Sequence, residues 1–536
     1  MLKTINLNLI FSYLSVIFAA IIDTPMQNEQ QRQLYEKLQN VDTTIPSSEK
    51  IIPEPTLSKD KNETVCFVSN SIIVKNMTLL SKTEQKEIID PFVGQCNGIH
   101  SLGLLANKLT KYYIDHGYIT SRVYLTPQDI SDTEVELYAI EGKIARISSD
   151  NTKTNGAFIG LENEVLDLKD LESSIEQVNR LRSNKTTMDL VPSDKHGLTD
   201  VLLHSQETLP LFGSFGVNNY GSEATGKFQL YGEFTWENAL GISDILSINL
   251  NTTDKQESSK NSFGNSFVYS VPLGKWLWES GFSHFAYTQT IYSLNDSFVS
   301  RGESDVYWLG TTYKFFHDSV QNIEVNTQMA RKKNISKIEG VVIEPSTYNL
   351  SIGKIGSKYV FQQPTWEAYL LLDYYRGLNI LNPTQNGALK HDFSKWTLSL
   401  GATKYFNAAF PIIYQFSGYA QHANDLLYGV EQISIGGSYS VRGFQTKNIS
   451  GGSGGYARND IVFQISPKIS PYVAYDIGHV RSDEDTAGGT LSSATMGIRT
   501  HYLAFKFDLY HAVLISSPDK TFGTDPFVGI TMSANF

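Results

Sequence analysis

Past residue 22 the sequence contains no run of about 20 apolar residues, so a membrane-spanning helix is excluded beyond the N-terminus. Its mean hydropathy of -0.22 is that of a soluble protein. A β-barrel fits that value too, because its strands alternate lipid-facing and lumen-facing residues and average to neutrality. Positive charge is in deficit: 44 Lys and Arg stand against 55 Asp and Glu, a formal charge of -11. A general nucleic-acid binder needs a basic footprint to release counterions from phosphates, so no nucleic-acid partner is expected. The eleven His residues show no H-E-x-x-H or other metal-ligand spacing, and no Walker-type phosphate loop occurs. No cofactor or metal is implied. Gly451 to Gly455 spells G-x-S-x-G, but a nucleophile elbow needs a strand-to-helix turn, and this glycine run introduces no helix. The chain is therefore expected not to be an enzyme.

Cysteine is nearly absent, with only Cys66 and Cys96. Residues 1–22 place Lys3 before an apolar stretch through Leu9, Phe11, Leu14, Ile17 and Phe18, ending in Ala19 and Ala20. This reads as a secretory signal, the alternative being an uncleaved anchor. In an exported chain an even pair of cysteines suggests one disulfide closing a loop of about 30 residues, worth about 3 kcal/mol if unstrained. Two unpaired buried thiols are the alternative.

Residues 23–41 read as a helix of good helix formers with Pro25 in its first turn. Only Leu34, Leu38 and Val41 share an apolar face, too thin a stripe for a core element. Residues 42–63, with Pro46, Pro53 and Pro55 and no periodicity, read as a linker. Residues 64–147 have the order β-α-α-β-β: a strand over Val65 to Val74, helices over Lys82 to Phe92 and Ile99 to His116, then strands over Ile119 to Leu125 and Glu134 to Ile140. Residues 148–208 look like a shortened copy, with Leu168, Leu171, Ile175 and Val178 on one helical face and strands over Thr187 to Val191 and Asp200 to His204.

From about residue 209 the texture changes to period two. All six tryptophans lie beyond this point. In Phe228 to Trp236 the even positions are Phe, Leu, Gly, Phe and Trp, and the odd ones Gln, Tyr, Glu and Thr. Leu503, Phe505, Phe507 and Leu509 alternate in the same way with Ala504, Lys506, Asp508 and Tyr510. Aromatics fall near strand ends, as an interfacial girdle would, and the chain ends on Phe536 after Val528, Ile530, Met532 and Ala534. A terminal Phe on such a strand resembles the closing signal that bacterial barrel assembly machinery reads. The fold class expected is mainly β: a transmembrane β-barrel of about 16 antiparallel strands over 209–536, preceded by two small α+β domains and the N-terminal helix.

One local feature is sharper than the rest: Gly436-Gly437-Ser438-Tyr439-Ser440 followed by Val441-Arg442-Gly443-Phe444 and a Gly-rich stretch to Tyr456. The Val441 to Phe444 tetrapeptide resembles the lumen-loop signature of the two-partner secretion transporters, the TpsB branch of the outer-membrane insertase and translocase superfamily. Tyr475-Asp476-Ile477-Gly478 resembles that family's aromatic-Asp-x-Gly strand motif. Alternation over Tyr472 to Val480 points Asp476 into the lumen, where a guanidinium gains most from a bidentate carboxylate that Lys would not reproduce. Leu166 to Val201 is similar to the family's second POTRA (polypeptide-transport-associated) domain, and Tyr138 to Ile144 to the exit strand of the first. Cys66 and Cys96 resemble a cysteine pair often seen in that first domain. Ala239-Leu240-Gly241 departs from a more usual Pro-Leu-Gly.

The resemblance implies a Gram-negative outer-membrane translocator with periplasmic POTRA domains at 64–147 and 148–208 and a loop near 436–456 folded into the barrel, Arg442 meeting Asp476. Its partner would be one large secreted protein, whether adhesin, cytolysin or growth-inhibition toxin, beside outer-membrane lipids and the barrel assembly machinery. Export would draw on cargo folding outside the cell. A barrel of about 16 strands encloses an aqueous channel that must be filled at rest. The polar helix at 23–41 suits a wet pore wall, and family members carry such a plug; a periplasmic tail is the alternative. The rival function is a β-barrel assembly insertase.

Overall fold

A computed structural model of the chain describes residues 24–41, 66–128, 133–149, 156–254, 259–292, 296–318, 320–385, 389–444, 447–483, 487–519, 522 and 525–536. The expected leader at 1–22 and linker at 42–63 lie outside them.

The first small domain forms because a long amphipathic helix must bury one face. Ile99–Asp115 presents Leu102, Leu105, Leu109 and Tyr113, all buried, to a three-stranded sheet. In that sheet Glu134–Ile140 lies centrally, parallel to Ser71–Lys75 and antiparallel to Arg122–Leu125. Helix Lys82–Ile89 is started by a capping box in which Ser81 and Glu84 bond each other's backbone N–H. The strand expected over Val65 to Val74 is split, Phe67–Val68 pairing instead with Cys96–Asn97. Beside that pair a disulfide joins Cys66 to Cys96.

The second domain repeats the topology. Leu198–Glu207 lies between Lys143–Ser149, parallel to it, and Asn184–Pro192, antiparallel. Leu171 and Val178 of helix Leu168–Asn179 are buried against Ile144, Val201 and Leu203. The expected boundary at 147 is corrected by this pairing, because Lys143–Ser149 belongs to the second sheet. Only Glu141 and Gly142 separate it from the last strand of the first sheet, too short a break for a periodicity reading to notice.

Beyond residue 210, sixteen long antiparallel strands close into a barrel. Phe527–Asn535 pairs back onto Leu211–Asn218, with Thr531 opposite Asn218 and Asn535 opposite Ser214. The Asn219 side chain extends this seam as a peptide group would, donating to the Val528 carbonyl at 2.7 Å and accepting from the Ile530 N–H at 2.8 Å. At the other end the Phe536 N–H reaches the Gly213 carbonyl at 2.9 Å. Closure leaves no unpaired edge, which a lipid environment demands. The outward faces are those expected: Leu230, Phe505, Leu509, Ile530 and Phe536 are exposed to the membrane side. Five tryptophans, Trp236, Trp276, Trp278, Trp366 and Trp396, lie outward near strand ends. Trp308 is the exception to the girdle. It sits mid-strand and lines the interior with Ser283, Phe285 and Val306.

The second domain docks on the turns at one end of the barrel, the end expected to face the periplasm. Arg180 donates to Ser270 Oγ at 2.7 Å and to the Ser243 carbonyl at 3.1 Å. The Ser183 N–H meets the Glu237 carboxylate at 2.8 Å. Lys275 pairs with Asp170 at 2.6 Å, and Lys314 with Glu176.

Candidate functional site

The strand Ile412–Ala423 ends at the extracellular side, and the chain resumes its barrel only at Gly454. The intervening segment folds back inside. It therefore begins before the expected 436 and ends at Ser453, Gly454 to Tyr456 being barrel strand. A small antiparallel hairpin stiffens it, Ile433–Ile435 against Ile449–Gly451. Its apolar side chains, Ile433, Ile435, Val441 and Phe444, pack in one buried cluster with Tyr456, Val480 and Leu491 of the wall.

Arg442 stands at the tip of this segment and is 2% exposed. Its Nε donates to Asp476 Oδ2 at 2.6 Å and its Nη2 to Asp476 Oδ1 at 2.7 Å, the planar fork that two carboxylate oxygens require. The Arg442 backbone N–H reaches the same carboxylate at 3.1 Å. Gly443 turns the chain at φ +97, and a Cβ there would press on Leu514 at 2.9 Å; a left-handed backbone of this kind favours glycine. Gly478, two residues past Asp476 on the same face, leaves the room that Val441 fills, since a Cβ would stand 3.0 Å from Val441 Cγ2. The Val-Arg-Gly and Asp-x-Gly motifs are thus two halves of one contact. All four residues of the tetrapeptide and Asp476 are buried.

The contact is larger than alternation alone foretold. Arg442 Nη2 also bonds Asp460 Oδ1 at 2.6 Å. Asp460 Oδ2 is taken by Arg499 at 2.7 Å, and Arg499 reaches Asp508 at 3.4 Å. Arg458 donates to the Ser438 carbonyl at 3.0 Å. Two guanidinium groups, Arg442 and Arg499, thus pair with three carboxylates, and the pairing offsets the cost of burying Arg442, Asp460 and Asp476. Period two could have found Asp460, since Arg458 and Asp460 alternate with Ala457 and Asn459 on their strand.

A second anchor holds the other end of the segment. Glu431, 1% exposed, pairs with Lys332 at 2.5 Å and Lys395 at 2.9 Å, two cations on separate strands of the wall. Lys395 and Gln421 each also donate to the Glu431 carbonyl at 2.8 Å. No sequence signal marked this pair, because Lys332 lies in the run Arg331-Lys332-Lys333, where charge does not identify the inward residue.

The helix expected at 23–41 spans residues 24–39 and lies in the lumen beside the segment. Gln27 Nε2 donates to the Gly429 carbonyl at 3.3 Å, and Ser450 Oγ donates to Gln27 Oε1 at 2.7 Å. Asn251 on the wall donates to Glu29 at 2.9 Å, and Tyr369 OH to the Leu38 carbonyl at 3.2 Å. Arg458 lies 5.0 Å from the Tyr35 ring centre. The thin stripe is corrected at one point: Met26, outside it, is buried among Phe285, Leu350, Phe393, Tyr428 and Val430. Cavities of about 320 and 340 Å³ remain against the helix, so it occupies the pore without packing it as a core.

Residues 197–500 match the family described as haemolysin secretion/activation protein ShlB/FhaC/HecB. Residues 67–142 match the ShlB-type POTRA domain and 135–192 a further POTRA domain. The chain is 27% identical over 518 residues to outer membrane transporter CdiB of Dickeya dadantii, covering 91% of this chain and 90% of that protein. It is 26% identical over 485 residues to hemolysin transporter protein ShlB of Serratia marcescens, covering 86% and 85%. The solved structure of CdiB from Escherichia coli superposes with a TM-score of 0.80 at 27% identity, covering 96% of this chain and 98% of that one. The chain therefore belongs to the ShlB/FhaC/HecB haemolysin secretion/activation family, the two-partner secretion transporters of the Gram-negative outer membrane, with its POTRA domains in the periplasm.

Proposed function

We propose that this transporter exports one large unfolded partner protein, an adhesin, cytolysin or growth-inhibition toxin, by a cycle in which the POTRA domains capture the cargo and the lumen then clears. The observation that carries this reading is how the closed barrel is filled. Helix 24–39 and the segment between Ala423 and Gly454 occupy the lumen through side-chain bonds and small apolar contacts. Neither is a strand of the barrel wall. Such contacts break one at a time, whereas a wall strand is held by a full ladder of peptide hydrogen bonds. The POTRA sheets present edge strands, Ser71–Lys75 and Arg122–Leu125 in the first, to which an extended cargo adds by main-chain bonding.

The cycle uses no catalytic step. Ser453 Oγ, the residue of the G-x-S-x-G lettering, is engaged by the Ala423 backbone, accepting from its N–H at 3.0 Å and donating to its carbonyl at 3.2 Å. Cargo folding at the cell surface supplies the drive, and Phe536 at the seam serves the barrel assembly machinery during insertion into outer-membrane lipid.

Gln27→Cys with Ser450→Cys ties the helix to the segment and tests the cycle. Oxidation is expected to stop secretion and reductant to restore it, with the wild type treated in parallel to account for Cys66 and Cys96. Secretion at the wild-type rate by the cross-linked form would show that helix and segment need not part.

A further inference from the structure

The lipid-facing wall carries a basic patch on its extracellular half that the transport cycle does not use. On strand Gln321–Ile338, Lys332 and Asn334 point inward, so Arg331 and Lys333 point outward, and both are exposed. They share that face with Met329, and in register they stand opposite Tyr307 and Asp305 of the preceding strand. Two strands away Arg376 is also exposed and outward, next on its face to Tyr374. Its cross-strand partner Gly353, which lies opposite Met329 as well, puts no side chain between them.

The level of the patch follows from strand geometry. Trp366 starts its strand in the periplasmic girdle, and Arg376 follows ten residues later. Ten residues rise about 33 Å along a strand, or about 25 Å across the membrane at the usual tilt, which is the height of a barrel's apolar band. Tyr307, Tyr374 and Trp396 form the outer girdle here, the Tyr374 and Trp396 rings tilted against each other with centroids 4.7 Å apart. The three cations thus sit where outer-leaflet headgroups begin.

None of the three forms an ion pair among the described residues. Arg331 is oriented by one bond from its Nε to Asn349 Oδ1 at 3.1 Å, which leaves its terminal N–H groups directed elsewhere. Two acids stand nearby, Asp305, bonded to His284 at 2.7 Å, and the exposed Glu303, and neither forms an ion pair with the three cations, which outnumber them. In a chain of net charge -11 a cluster of unpaired cations against lipid calls for an anionic partner. Guanidinium groups above an aromatic and aliphatic belt fit an acyl-chained molecule with phosphates at its head.

We infer that Arg331, Lys333 and Arg376 form a binding site for a phosphorylated glycolipid of the outer leaflet, its phosphates on the cations and its acyl chains along Tyr307, Met329 and Tyr374. The purified full-length chain in zwitterionic detergent, stripped of lipid, is titrated with three probes in mixed micelles: diphosphorylated lipid A, the same lipid A dephosphorylated, and phosphatidylglycerol. The diphosphorylated form is expected to bind most tightly. The triple substitution Arg331→Ala, Lys333→Ala and Arg376→Ala should weaken it at least roughly tenfold, as losing charge-assisted contacts does. Arg331→Lys with Arg376→Lys should retain most of the binding, since Lys still holds phosphate as a point charge. Equal affinity for the dephosphorylated probe, or unchanged affinity in the alanine variant, overturns the site. Phosphatidylglycerol binding as tightly as lipid A overturns the glycolipid as its occupant. Should the alanine variant not fold, the three probes on the wild type still decide.

Discussion

Arg442 and Asp476 meet through three bonds, two from the guanidinium and one from the Arg442 backbone N–H at 3.1 Å, 34 residues apart in sequence and both inside the barrel. Arg442→Ala removes the cation and leaves Asp460 and Asp476 buried with too little positive charge, a loss of about 3–5 kcal/mol to the docking of the segment. Secretion should fall sharply while the barrel still inserts, since its wall strands do not depend on the loop. Asp476→Ala should behave alike, and Arg442→Lys should rescue only in part because an ammonium cannot fork. Normal secretion by both alanine variants at normal membrane levels would leave the contact without a functional role.

Glu431 is expected to act as an independent latch. Glu431→Gln keeps the shape and removes the charge that Lys332 and Lys395 share, loosening that end of the segment by about 3 kcal/mol. Single-channel recordings should show more frequent openings than the wild type, and the double variant with Arg442→Ala more than either. A Glu431→Gln trace that matches the wild type would reduce the pair to wall structure.

Removing residues 24–39 should raise conductance, because the helix fills lumen that the segment leaves open. Planar-bilayer recording tests this directly. A deletion variant no more conductive than the full chain would show that the segment alone seals the pore.

The Cys66–Cys96 bridge lies within the first POTRA domain. Replacing both residues with Ser should cost that domain about 2–4 kcal/mol and leave the barrel's melting unchanged. Thiol labelling of the unfolded, unreduced chain should find no free sulfhydryl; two would refute the bridge.

Acid should loosen the first POTRA domain through Glu141. Partial burial alone would raise this carboxyl, but bonds from the Thr78 hydroxyl, the Thr78 and Leu79 N–H groups and Tyr113 OH outweigh it and hold it below its ordinary value. A depressed carboxyl contributes stability that is fully present above its unfolded value and lost as pH falls through its folded one. Amide exchange on Ser71–Lys75 and Glu134–Ile140 should therefore accelerate below the ordinary glutamate range. Glu141→Gln should start faster and respond less to acid, and an acid response equal to the wild type would count against Glu141.

Much of this was legible in the sequence because a barrel strand writes its environment at period two. The outward faces of Phe228 to Trp236 and Leu503 to Leu509, the inward aim of Asp476 and the helix Ile99–Asp115 each follow from local alternation between lipid, water and core. Where both faces of a strand carry large side chains the signal vanishes: Tyr307 and Leu309 face lipid, yet Val306 and Trp308 between and beside them face the lumen.

What only the tertiary structure decided is which inward residues meet. Alternation tells each strand its two sides but not its distance across the pore, so it could pair Arg442 with Asp476 only through a family motif, and it could not bring Glu431 to Lys332, 99 residues earlier, or Arg499 to Asp460. It placed the domain boundary at 147 because two successive strands share one rhythm, and it missed Met26 because a single apolar side chain has no period. Faces are local properties of the backbone, whereas contacts across a lumen depend on barrel closure, and closure is set by sixteen strands together.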